Sequence, residues 1–327
     1  MHHRRFSMKK KFIPLAILLI IIMCMVSAYA CEKEIIFPEV SALVISAWIL
    51  TEQTSENKSF HFWISPTIGA LTGMLINRFL PSSTILMVAV AFILVFLQLK
   101  IIGSEVYPAL SASILPILLH SESWYYPLSV CILTGIIALG NKLIISFYSK
   151  KTKNSTLNKN MNKQIKVQLN SKELVHWAKL LISVLLVLII ALYFNCNYII
   201  APPLIVVFVE LCKPKSKLRR NRFLTFILPA LSAFLGVVWL YLMFYLLHLP
   251  IWISACLSVS CVLLIFHLLQ FSLPPAAALS LLPSIIPARS LWAYPLQVLV
   301  GSVLLLIINL LWFRNTTIFN TSVTQKT

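Results

Sequence analysis

The hydrophobic residues of this chain fall into long runs, without the alternating or amphipathic patterns of a soluble domain. Charged and turn-forming residues divide these runs into twelve apolar segments. Most approach the roughly 20 residues that a membrane-spanning helix needs. The segments are 12–30, 36–50, 62–80, 85–100, 106–119, 126–148, 176–194, 199–212, 223–247, 251–270, 273–287 and 292–313. The pattern predicts an all-α, polytopic membrane protein.

Four of the segments are short and contain proline: 36–50, 106–119, 199–212 and 273–287. Each is compatible with a tilted short span, a broken helix or a re-entrant piece. The distribution of Lys and Arg residues indicates that these four segments cross the membrane. With a cytoplasmic N-terminus and twelve crossings, 24 of the 27 Lys and Arg residues lie on the cytoplasmic side, in agreement with the positive-inside rule. We therefore expect about twelve crossings and two cytoplasmic termini, in a bacterial cell (inner) membrane.

The composition supports this class of protein. Hydrophobic residues make up 59% of the 327 residues and charged residues only 11%, whereas soluble domains carry about 25% charged residues. A disordered chain, a disulfide-rich secreted domain and an ordinary soluble enzyme are excluded. The net charge of +18 is typical of a cytoplasmic membrane face and does not require nucleic acid as a partner. Six tryptophans at segment ends, including Trp177, are expected to form the interfacial belt.

The two halves of the chain match each other at offsets of 163 to 168 residues. Matches of proline, glycine and tryptophan are informative because apolar matches arise easily by chance. They pair Pro38 with Pro202, Pro66 with Pro229, Gly73 with Gly236, Pro108 with Pro275 and Trp124 with Trp292. We predict a first membrane repeat at 1–148, a basic cytoplasmic linker at 149–175, a second membrane repeat at 176–314 and a cytoplasmic tail at 315–327.

Each repeat contains six segments, an even number, so both repeats have the same orientation. Parallel repeats of this kind commonly enclose a transport path. A duplication that only enlarges a membrane scaffold is the alternative.

The first segment has a second interpretation. Basic residues, an apolar run and Ala28-Tyr29-Ala30 before Cys31 are also typical of a cleaved signal peptide. The matching segment 176–194 lies inside the chain and is not cleaved. This match favours a retained first span.

A family resemblance is carried by the second half. Leu273-Pro274-Pro275 followed by Ala276-Ala277-Ala278 is similar to the signature of the HPP family of integral membrane proteins, a His-Pro-Pro followed by small residues. The segment that Pro202-Pro203 opens, the basic loop after it and a helix rich in small residues resemble the same family. The likeness covers 199–313 and extends weakly, through the duplication, to 35–148. The signature histidine is replaced by Leu273, and by Val106 in the first half.

The resemblance implies a permease and a small anion as solute, since plant members are associated with nitrite export. A role of the signature imidazole cannot be carried over to this chain. The six-segment repeat with a basic loop after its second segment is also similar, in architecture only, to aromatic-acid exporters.

No motif for hydrolysis, group transfer or nucleotide binding occurs in the sequence, which has no Asp. We therefore expect no enzymatic activity, catalytic residue, metal or cofactor. Paired short segments with prolines point to a transport site, because proline frees carbonyl groups in a helix interior. Intramembrane carboxylates are functional candidates, and Glu39 is the best candidate for a proton or cation coupling site. The residues predicted to line or shape the route are Glu39, Tyr107, Pro108, Ser111, Ser113, Pro202, Pro203, Pro274, Pro275 and Ser280.

The predicted function is thus transport of a small solute, with an anion as one option, through the repeat interface. The alternative is a scaffold or subunit that binds a partner protein or lipid without transport. The expected partners are the bilayer and the solute, and self-association is left open.

Overall fold

The computed structural model describes residues 9–50, 56–151, 171–213 and 216–313. Within these ranges the regular secondary structure is helical and contains no β-strand, which confirms the all-α class. Residues 152–170 of the predicted linker and the predicted tail 315–327 lie outside the described residues.

Twelve α-helices follow one another in these ranges. They are α1 (Ile13–Ala30), α2 (Glu39–Val44), α3 (Glu56–Phe79), α4 (Thr84–Ile102), α5 (Pro108–Leu119), α6 (Tyr125–Lys151), α7 (Ser171–Tyr193), α8 (Pro202–Cys212), α9 (Arg222–Leu240), α10 (Ile251–Leu269), α11 (Pro274–Leu281) and α12 (Tyr294–Trp312). Two of them continue as π-helical turns, α2 through Ile45–Ile49 and α9 through Tyr241–Leu246. Each helix coincides with one predicted apolar segment. Helix α3 starts six residues before its predicted segment, at Glu56, because its first turns are polar and carry no hydropathy signal.

Seven helical segments of the described chain are long and apolar enough to cross a membrane. They are Lys10–Ala30, Thr84–Ile102, Tyr125–Phe147, Ser171–Tyr193, Leu218–Leu246, Ile251–Leu269 and Tyr294–Trp312. The protein is a membrane protein by this criterion. Helix α3 is long but is not among the seven, because Asn77, Arg78 and several small polar residues lower its mean hydropathy.

The remaining four helices, α2, α5, α8 and α11, are short. The longest, α5, has 12 residues, which is about 18 Å of helix against an apolar bilayer core of roughly 30 Å. Helix α2 contacts α5 and α11, and α8 contacts the same two helices. These four helices therefore form a closed cycle of contacts, the short-helix ring. Most of their residues are buried, and the longer helices pack around them, with α3 on α5 and α9 on α11.

Contacts between the two halves are reciprocal. Helix α1 packs against α10, and its counterpart α7 packs against α4. Within the ring, α2 packs against α11 and α8 packs against α5. Each interface thus occurs twice with the halves exchanged, as in a two-fold isologous contact.

Hydrogen bonds show which helix ends lie at the same level of the structure. The Lys9 N–H donates to Ile49 O at 2.8 Å, so the chain returns after α2 to the level at which α1 starts. At that level Lys10 also contacts His267, near the end of α10, at 3.2 Å. At other helix ends, Asn77 of α3 donates to Ser121 O at 2.9 Å, just beyond α5.

Candidate functional site

The predicted carboxylate Glu39 lies inside the short-helix ring. It is the first residue of α2 and is only 1% exposed. Ser111, the fourth residue of α5, donates its hydroxyl hydrogen to Glu39 Oε1. The other carboxylate oxygen, Oε2, is buried and has no hydrogen-bond partner. The structure thus brings together two of the predicted site residues and leaves one buried oxygen of the carboxylate without a hydrogen bond.

Two buried tyrosines lie within electrostatic range of this carboxylate. Tyr126 is the second residue of α6 and Tyr294 the first residue of α12, and both interact electrostatically with Glu39. Tyr126 donates its hydroxyl hydrogen to Ala112 O at 2.8 Å, and Tyr294 donates to Leu279 O at 2.8 Å. Tyr126 belongs to the first half and Tyr294 to the second, so Glu39 lies where the halves meet.

The predicted serines differ in what their hydroxyl groups do. Ser113 donates to Leu110 O and Ser280 donates to Ala277 O, each at 2.8 Å and within its own helix. These two hydroxyl hydrogens are therefore used inside α5 and α11. Ser111, in contrast, points at another helix and contacts Glu39.

Glycines allow the long helices to approach the ring closely. A methyl group on Gly73 of α3 would overlap the carbonyl oxygen of Ser113, and one on Gly236 of α9 would overlap that of Ser280. Small residues at such contacts are typical of membrane helix packing. The glycines thus seat α3 and α9 against the backbones of α5 and α11.

The prolines of the predicted route occupy the first turns of their helices. Pro108 opens α5, Pro202 and Pro203 open α8, and Pro274 and Pro275 open α11. The first N–H groups of a helix have no intrahelical partner, so proline is tolerated there and breaks no hydrogen bond. The expectation that these prolines free carbonyl groups is therefore wrong. They set the points at which the short helices begin.

Tyr107 lies outside the Glu39 cluster, at the start of α5. It is half-buried, and its ring centroid is 6.1 Å from that of Trp177 on α7. The Lys213 ammonium lies 4.2 Å from the centroid of the Tyr107 ring and 3.9 Å from Glu105. Lys213 follows α8, so this cation–π contact joins the two halves of the chain.

The environment of Trp177 differs from the one predicted from the sequence. This residue was expected in the interfacial belt, but it is 9% exposed. Its ring centroid is 4.7 Å from Phe96 and 5.9 Å from Phe92, both on α4. Trp177 is therefore a packing residue between α4 and α7.

Sequence reasoning also missed a specific role for the basic loop 213–222. Arg219 donates from Nε to Leu211 O and from Nη2 to Cys212 O, both at 3.0 Å. These carbonyl groups belong to the last turn of α8, which has no intrahelical donors for them. The guanidinium therefore caps α8. The only signal in the sequence is a cation shortly after a short helix.

Comparisons of the chain with protein-family models, curated proteins and solved structures find no match. The resemblance to the HPP family therefore stays a prediction, supported by residues 199–313 of the sequence.

Proposed function

We propose that this protein is a membrane permease that moves a small solute along the short-helix ring. The observation that carries the proposal is the buried Glu39 carboxylate, which lies among short helices from both halves and has one oxygen without a partner. Ionisable residues in the hydrophobic zone are costly and usually serve ion or substrate pathways. Short helices at the interface of repeats are a frequent location for such pathways.

The proposal includes twelve crossings of the membrane. The four short helices are too short to cross alone, and the residues that flank each of them complete its crossing. The hydrogen bond between Lys9 and Ile49 supports this topology. It places the end of the α2 segment beside the start of α1, so the chain that left this side in α1 has returned to it before α3 begins. The basic linker and both termini are then cytoplasmic. A cysteine introduced at Arg78, in the last turn of α3, should react with an impermeant thiol reagent from outside, and one at Arg220 only from inside, in a background without the native cysteines.

The proposal also includes a tandem duplication with two parallel repeats. Three equivalent pairs support it: Tyr126 with Tyr294, Ser113 with Ser280 and Gly73 with Gly236 make corresponding contacts in their halves. The reciprocal interfaces of α1 with α10 and of α4 with α7 fit the same arrangement.

The solute class rests on the resemblance to the HPP family, which favours a small anion such as nitrite. The test is flux into liposomes that contain the purified full chain. The panel is nitrite, nitrate, small carboxylates and aromatic acids, with protein-free liposomes as the control. Saturable uptake of one solute, above the control, is the expected result.

A scaffold or subunit is the second candidate, because α2, α5, α8 and α11 are densely packed and largely buried. A scaffold shows no flux for any member of the panel and co-purifies stably with a partner from native membranes. That pair of results would contradict the permease.

A further inference from the structure

The pair formed by Glu39 and Ser111 has no counterpart in the second half. The matched positions are Pro203 and Ala278, at offsets of 164 and 167 residues. Neither residue can bind a proton or donate a side-chain hydrogen bond. The surrounding contacts do recur, since Tyr126 and Tyr294 make equivalent hydrogen bonds in the two halves. The second half therefore forms these contacts without such a pair. The fold does not require the pair of Glu39 and Ser111, and we assign the pair a functional role in the first half.

We infer that Glu39 is the proton-binding site that couples a proton gradient to transport, with Ser111 as the residue that positions its carboxyl group. This inference rests on the proposed permease function and names its coupling ion. The proton binds Oε2, so that one O–H bond forms there, while Ser111 continues to donate to Oε1. Release of the proton to the other side of the membrane breaks that same O–H bond and restores the carboxylate.

Burial provides the first argument. Glu39 is 1% exposed, and within the described part of the chain Ser111 is the side chain that donates to its carboxylate. A buried carboxylate with so few partners is costly while it is ionised, and it is much less costly once a proton neutralises it. The site therefore changes its charge within a nearly sealed layer of helices, as a coupling site requires.

The composition of the ring favours a proton over a metal cation. A sodium or calcium ion needs several oxygen ligands around it. Among the described residues no group of three or more His, Cys or Glu side chains could hold a metal ion, and α2 and α5 add only the hydroxyls of Ser41, Ser111 and Ser113 to the single carboxylate of Glu39. The other side chains near the pair, such as Val40 and Ala112, are apolar and buried. A proton needs one oxygen and almost no volume.

The ionisable groups around the site are few. Tyr126 on α6 and Tyr294 on α12 interact with Glu39, and Cys24 is buried on α1, a helix that contacts α2. Lys142 on α6 is exposed. Helices α5 and α11, which flank α2, carry no ionisable side chain. Glu39 is thus the carboxylic acid among these groups, whereas the tyrosines and the cysteine are much weaker acids.

Glu34 offers a second carboxylate on the same stretch of chain. It lies on the short turn Lys33–Ile35, between α1 and α2. Its Oε2 atom is also buried and has no hydrogen-bond partner. In the proposed topology this turn is on the outer side, so Glu34 lies five residues before Glu39 along the chain, between the outer end of α1 and α2.

The test uses the full chain in proteoliposomes and two readouts. The first is infrared difference spectroscopy, which follows the C=O stretch of a protonated carboxyl group during a titration between about pH 5 and 9. The second is solute flux with and without a pH gradient. The variants are Glu39→Gln and Ser111→Ala. The matched controls are Glu210→Gln, a carboxylate on α8, and Ser258→Ala, whose hydroxyl donates within α10 to Ala255 O at 3.0 Å.

We expect a titrating C=O band in the wild type and in both controls, and none in Glu39→Gln. Ser111→Ala should keep the band and move its midpoint. The pH gradient should accelerate wild-type flux several-fold and leave Glu39→Gln flux unchanged. If Glu39→Gln does not fold, Glu39→Asp replaces it, with the band retained at a shifted midpoint.

A band that persists in folded Glu39→Gln, or a site that responds to sodium and not to protons, overturns the inference. Wild-type flux that ignores the pH gradient also overturns it, while the permease stands. A titrating Glu39 band in a protein that transports no solute of the panel supports Glu39 as a proton site and counts against the permease.

Discussion

Tyr294 donates its hydroxyl hydrogen to the carbonyl oxygen of Leu279 at 2.8 Å, and both residues are fully buried. The bond ties the start of α12 to α11 and so fixes one member of the short-helix ring. Tyr126 makes the corresponding bond to Ala112 on α5, also at 2.8 Å. The two bonds hold the ring from opposite halves of the chain.

Removing either tyrosine hydroxyl should destabilise the protein. Tyr126→Phe and Tyr294→Phe each leave a carbonyl group without this donor, at a cost of about 1 kcal/mol in a membrane protein. The free energy of unfolding, measured by chemical denaturation in detergent, checks this. Tyr193→Phe, at an exposed position, is the matched control and should leave the free energy unchanged.

The glycines that contact the ring should not tolerate a methyl group. Gly73→Ala and Gly236→Ala push the added carbon into a backbone carbonyl oxygen, and overpacking of this kind costs about 1–3 kcal/mol. Gly135→Ala is the control, because its new methyl group would lie 3.4 Å from the nearest atom of Trp63. The same denaturation measurement should give a neutral or stabilising effect at Gly135. Equal losses at all three positions would show that the close contacts are not the cause.

The ion pair between Lys100 on α4 and Glu173 on α7 joins the two halves. The side chains are 28% and 37% exposed, so we expect a contribution of about 1 kcal/mol or less. Lys100→Glu should lower the thermal stability in detergent, and the double exchange Lys100→Glu with Glu173→Lys should restore it. The difference should shrink at high salt, because exposed charges are screened. A double variant as unstable as the single one contradicts a direct pairing.

Arg219 should stabilise α8 more than its neighbour in the same loop. Arg219→Gln removes the guanidinium that caps Leu211 and Cys212, and we expect a loss of about 1 kcal/mol. Arg220→Gln removes an equal charge from an exposed position and should change the stability by less than about 0.5 kcal/mol. Unfolding of both variants in detergent makes the comparison, and an equal effect would indicate a general charge effect.

The hydropathy pattern was sufficient to predict where the helices lie, because each apolar segment corresponds to one helix. It could not predict the polar first turns of α3, which begin at Glu56. It also could not distinguish Ser111 from Ser113, because the direction of each hydroxyl depends on how α5 packs against α2. Trp177 was misplaced for a related reason, since a tryptophan at a segment end is exposed or buried according to the neighbouring helices.

The prolines illustrate another limit of the sequence. A proline within an apolar segment predicts a break in a helix, and the same residue at the first position of a helix is a favourable start. The two cases differ only in the helix boundary, which hydropathy does not resolve. The candidate carboxylate Glu39 was visible in the sequence, but its free oxygen and its contact with Ser111 depend on the tertiary packing.

The reciprocal packing of α1 on α10 and of α4 on α7 has a consequence for assembly. A half-molecule that presents both sides of each interface carries a surface complementary to a copy of itself. Under the proposed duplication, such a half would serve as the building block of a dimer, and joining two copies in one gene would fix their ratio and let each copy diverge. Co-expression of the halves as two separate polypeptides is therefore expected to reconstitute the protein without a covalent connection.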